Sequence, residues 1–187
     1  MYRQSFKLFF LALIFVGIGF SLGRFFFPEN VRIQGKKLLF EDMYVGEPPP
    51  NSEDIQFPFM VDGLLLDNLI TGEEAMEYAR KIHGEEAPLK QVFISYYCGN
   101  HEQVILWLFE FSSSEEAKKH MEKVNCQIKK SQNFTEYGSF YLQNVEVNHA
   151  KGFMQNNYYY NKERIIYWVS LFNEDPIPLF LEFYEYF

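Results

Sequence analysis

A chain of 187 residues with 17 basic and 25 acidic side chains has a formal net charge of −8. That balance leaves no Lys/Arg stripe to neutralise phosphates, which argues against a nucleic-acid partner, while the length suits one domain able to bury its own core. Aromatics are in excess, with 21 Phe and 13 Tyr; such rings pair across sheets and fill cores, and they also line pockets and interfaces.

The first element is an uncharged run, Leu8–Leu22, with Arg3 and Lys7 before it and Arg24 after it. Residues 1–27 are read as a membrane anchor or signal segment. As an anchor, the helix extends through Phe25, Phe26 and Phe27 at headgroup level, with Arg24 snorkelling, until Pro28 removes a donor and ends it. As a cleaved signal, the same run is long enough for the apolar region, and Ser21 and Gly23 supply small residues for processing. The retained anchor is the preferred reading, with the domain on the far side of the membrane from the cytoplasm. Arg24, Arg32, Lys36 and Lys37 form a juxtamembrane basic cluster suited to anionic headgroups or to a solvated linker.

Residues 28–57 read as a linker, with a short strand around Lys37–Val45 and a semi-rigid spacer at Pro48, Pro49 and Pro50. Residues 58–187 form the globular domain. Thr71 and Glu74 suggest a capping box, followed by a helix whose Ala75, Tyr78, Ala79 and Ile82 share a face, with Gly84 as its stop. Two strands follow, Gln91–Tyr97 and Gln103–Phe111, joined by Cys98-Gly-Asn-His-Glu102. Apolar residues of both parities predict that these strands are covered on two sides, or on one side with a partner on the other.

Ser113 and Glu116 make a second capping box for a helix over Ser114–Lys129, with Ala117, Met121, Val124 and Ile128 on one face. Strands are then predicted over Ser139–Val147, Gly152–Tyr159 and Arg164–Leu171, the last two joined by a hairpin turn in which Asn161 takes the left-handed conformation. Asp175-Pro176 opens a last helix with Ile177, Phe180, Leu181, Tyr184 and Phe187 at helical spacing. Together these elements predict an α+β fold: one antiparallel sheet with helices packed on a face, similar in order to ferredoxin-like or dimeric α/β-barrel arrangements.

Gly152–Tyr160 is the leading candidate for a binding surface, because amides and phenols interleaved with rings offer both stacking area and oriented hydrogen bonds. Gln155, Asn156, Asn157 and Tyr158 are its residues, and on a strand Gln155 and Asn157 point opposite to Asn156 and Tyr158. His83 and His101 are further ligand candidates, His101 beside Cys98 in a polar loop. Glu116 and His120 lie one helical turn apart and are the only metal-ligand spacing noted. Cys98 and Cys126 could pair in an oxidising compartment, although Cys126 points away from the apolar face of its helix. Asn133-Phe134-Thr135 fits a glycosylation acceptor.

No catalytic residue is assigned, since no phosphate loop, nucleophile elbow or paired carboxylates occur in the sequence. The leading reading is a membrane-anchored, non-catalytic binding or accessory domain, such as a subunit of a membrane complex. Its alternative is an enzyme or cofactor- or metal-binding protein with a pocket between sheet and helices. The expected partners are the membrane and either another protein or a second copy of this chain; the sequence names no cofactor.

Overall fold

The computed structural model describes residues 55–84, 87–99, 102–152 and 154–187. The anchor or signal segment, the strand at 37–45, the proline spacer and His101 lie outside them. Among the described residues no helix is long and apolar enough to cross a membrane. Residues 57–187 form a compact unit.

A hairpin opens the domain: β1 (Met60–Val61) and β2 (Leu64–Ile70) are joined by Asp62 and Gly63, both at positive φ. That turn has the twist adjacent antiparallel strands require. Helix α1 (Gly72–His83) leads into β3 (Leu89–Gly99) and β4 (Glu102–Phe111). Helix α2 (Ser114–Lys130) then carries the chain to β5 (Phe134–Leu142), β6 (Val145–Gly152), β7 (Gln155–Lys162) and β8 (Ile165–Leu171), and α3 (Pro176–Tyr186) closes the chain.

The eight strands form one sheet in the order β1-β2-β3-β4-β8-β7-β6-β5, antiparallel throughout. The α+β expectation with an antiparallel sheet holds. The interleaved strand order of ferredoxin-like folds is not what the sheet shows, because two meanders of sequence neighbours meet at the β4–β8 seam. Two hairpins account for the difference. Met60–Ile70 supplies strands at the first edge, and the predicted strand Ser139–Val147 is in fact cut by a turn at Gln143 and Asn144, both left-handed. In the last hairpin Glu163, not Asn161, takes the positive φ.

The helices cover both faces, not one. Adjacent residues of β7 show this: Tyr159 hydrogen-bonds Asn125 of α2, whereas Tyr158 stacks on Phe180 of α3 with ring centroids 4.4 Å apart. Strand neighbours alternate sides, so α2 and α3 lie on opposite faces. The central strand β4 is accordingly buried along Val104–Phe111, as its two-sided apolar pattern predicts.

Each helix also refines its expected stripe. In α1, Ala75 and Ala79 are buried but Tyr78 is exposed, and Thr71 stands at the N-cap without a side-chain bond. Ser113 Oγ does accept from Glu116 N at 3.2 Å, and α2 buries Ala117, His120, Met121, Val124 and Ile128. In α3 the buried residues are Leu179, Phe180, Phe183 and Tyr184, while Ile177 and Leu181 face solvent. Phe180 and Tyr184 are buried as the spacing predicts, and Leu179 and Phe183 complete the docked side in place of Ile177 and Leu181. Phe57 packs between Phe93 and Phe187, at 5.5 and 5.8 Å, which ties the first residue of the compact unit to β3 and to the residue after α3.

Candidate functional site

The amide-rich strand is engaged internally. Asn157 Oδ1 accepts from Ser170 Oγ at 2.8 Å and from Trp168 Nε1 at 3.1 Å, and its Nδ2 donates to the Ala150 carbonyl at 3.1 Å. Asn156 Nδ2 donates to the Asn173 carbonyl at 3.1 Å. Gln155 and Tyr158 are buried, and burial first, then the nearby Asp175, raises the Tyr158 phenol above its ordinary range. Among the described residues of the run Met154 alone is fully presented, in the turn before β7 at positive φ. These side chains close the sheet's own hydrogen bonds, as buried amides regularly do.

The structure brings two of the candidate histidines together across 37 positions of sequence: His83, at the end of α1, and His120, midway along α2, have Nδ1 and Nε2 3.0 Å apart. Phe109 of β4 edges His83 at 4.7 Å and Phe111 tilts against His120 at 5.1 Å. Desolvation in this apolar enclosure holds His83 down at about 3, helped by the charges that His120 and Lys123 would place beside it. Desolvation and Lys123 likewise hold His120 at about 4. The pair is therefore neutral, one ring donating to the other. His120 is not the exposed polar residue that helical spacing with Glu116 suggests. Glu116 Oε2 is enclosed without a hydrogen-bond partner, yet among the described residues no group of three or more His, Cys, Asp or Glu could hold a metal ion. His83 Nε2 is shut off from solvent. The arrangement ties α1 to α2.

Cys98 and Cys126 are free thiols. Cys126 is exposed on α2, whereas Cys98 lies in β3 of the sheet, so the two are the unrelated thiols that the sequence equally allows. Cys98 accepts from Gln103 Nε2 at 3.6 Å, and burial raises its thiol above the usual range.

The opening suited to a ligand lies elsewhere, between the second half of α2 and strands β5–β7. It is a cleft of about 260 Å³ lined by Asn125, Ile128, Lys129, Tyr137, Gly138, Ser139, Glu146, Asn148 and Tyr159. Its floor is a hydrogen-bonded chain: Tyr159 OH donates to Asn125 Oδ1 at 2.8 Å, and Asn125 Nδ2 donates to Asn148 Oδ1 at 3.0 Å. Tyr159 is held flat by stacking on Trp168, with centroids 4.5 Å apart and planes at 13°. Burial raises its phenol well above the ordinary value, so it remains a donor. The chain fixes both amides in one orientation. Asn148 keeps its Nδ2 without a protein acceptor among the described residues, beside the Ser139 hydroxyl, the Lys129 ammonium and the Glu146 carboxylate. Together with Tyr159 of β7 these groups come from four separate elements, and no local spacing announces them.

Comparison with protein-family models, with curated proteins and with solved structures gives no match. The geometry of the chain carries the functional argument alone.

Proposed function

We propose that this protein is a membrane-anchored, non-catalytic binding module that displays its α+β domain away from the cytoplasm. The apolar, base-flanked run Leu8–Leu22 supports the anchor. The observation that carries the binding role is the Tyr159–Asn125–Asn148 chain, which holds the free Asn148 Nδ2 donor in the floor of a concave site. A few preformed, convergent polar groups in a concave site are what orient a small polar ligand. A ligand held there would be presented to, or received from, a membrane complex of which the protein is an accessory subunit. The alternative, an enzyme or cofactor- or metal-binding protein with a pocket between sheet and helices, draws less support from His83, whose ring is turned onto His120 and Phe109.

Native mass spectrometry of the full chain extracted from its own membranes tests the proposal. The wild-type protein should carry a bound molecule or partner that an Asn125→Leu, Asn148→Leu variant has lost while keeping its fold. Identical spectra for the two would overturn the assignment of the cleft.

A further inference from the structure

Among the described residues the sheet has two edges of unequal kind. At one, β1 is only two residues long, the short edge that resists further pairing. At the other, β5 runs for nine residues with neither Pro nor Lys in it. Its single charge, Glu136, is drawn to Lys151 of the neighbouring strand at 3.6 Å.

The register fixes which backbone groups of β5 remain open. The two-residue turn Gln143–Asn144 closes on the Leu142/Val145 pair, which therefore exchanges hydrogen bonds. Alternation then commits Phe140, Gly138 and Glu136 to β6, and directs the N–H and C=O groups of Tyr141, Ser139 and Tyr137 outward. The irregularity in this ladder lies before Glu136, so residues 136–142 are regular.

We infer that β5 pairs with β5 of a second copy of this chain, antiparallel about a two-fold axis at Ser139. In that register Ser139 meets the partner's Ser139, and Tyr137 meets the partner's Tyr141, each as a hydrogen-bonded pair of outward-facing backbones. The parity works only because the open groups fall at 137, 139 and 141, symmetrically about the axis. Tyr137 and Tyr141 are 49% and 73% exposed in the isolated domain, and the pairing lays each ring against its counterpart. Gly138 falls opposite the partner's Phe140. A Cβ at Gly138 would lie 2.7 Å from His149 Cε1, so the ring of His149 already covers this glycine from within its own sheet. Both copies then present α2 and its cleft on the same side of one continuous sheet. The seam runs along the rim of the cleft, which Tyr137 and Ser139 also line, but it requires no ligand there.

Thiol cross-linking of the full chain in detergent tests the register, in a Cys98→Ser, Cys126→Ser background so that only introduced thiols react. Hydrogen-bonded antiparallel partners have Cα atoms about 5.5 Å apart, within disulfide range. Ser139→Cys should therefore link to itself under mild oxidation. Tyr141→Cys alone should not, but should link to Tyr137→Cys when the two are co-expressed. Ser139→Pro removes the central outward donor without touching the β6 ladder, and should weaken self-association by at least about tenfold in light scattering. A strictly monomeric wild-type chain, or Tyr141→Cys linking to itself as readily as Ser139→Cys, would overturn the inference.

Discussion

His83 and His120 face one another at 3.0 Å where α1 and α2 meet above Phe109 and Phe111, and both are held neutral. In the unfolded chain each would titrate near 6.5, but in the folded protein at about 3 and about 4. As pH falls from 6.5 towards 4 the unfolded state binds more protons, so stability declines over that window by on the order of 1 kcal/mol per pH unit for each ring. Urea denaturation at a series of pH values should show this slope, and a His83→Leu, His120→Leu variant should flatten it. An unchanged slope would show that other groups dominate acid sensitivity.

Asn157 satisfies Ser170, Trp168 and the Ala150 carbonyl at once. Asn157→Leu strands these buried groups and should cost about 2–4 kcal/mol in chemical denaturation. Tyr158→Ala with Asn156→Ala should also destabilise strongly, because Tyr158 packs on Phe180 and Asn156 anchors the Asn173 carbonyl. Stable variants would return these residues to the role of a binding surface.

Glu110 is buried and accepts from Lys90 Nζ and Arg164 Nε, each at 2.9 Å, while both cations are half exposed. The two sides of this cluster should respond unequally. Glu110→Leu releases two cations that water can solvate, and is expected to be mild. Lys90→Met with Arg164→Met strands a buried carboxylate and should cost about 3–5 kcal/mol. Equal losses in calorimetry would contradict the burial asymmetry.

Gly152 and Gly138 are both confined, by different neighbours. A Cβ at Gly152 would lie 2.5 Å from the Asn133 carbonyl, which is backbone, whereas at Gly138 it meets the ring of His149. Gly152→Ala should therefore destabilise by about 1–3 kcal/mol, and Gly138→Ala by less, since a side chain can turn aside. Thermal melts of the two variants would order them.

Local signals account for what was legible in the sequence. Ser113 accepting from Glu116 N, the buried stripe of α2, Gly84 after α1, and two-sided burial of β4 all follow from patterns within a few residues. Asp62-Gly63 is also a strong local hairpin signal, and its weight is clear once both residues are found left-handed. Gln143-Asn144 is harder, because it lacks the glycine that makes Asn-Gly or Asp-Gly a strong hairpin signal. The cleft and the histidine pair left no such trace. Asn125, Ser139, Asn148 and Tyr159 come from four elements, and His83 meets His120 only because α1 and α2 share a sheet face. Contacts of that kind depend on topology, which short-range spacing does not encode.

The most direct measurement is the address of the full chain in intact cells, by carbonate-washed membrane fractionation combined with externally added protease. The proposed function predicts that the chain stays with washed membranes and that external protease removes its domain. A chain recovered in the soluble fraction, or one protected from protease until the cells are opened, would contradict it.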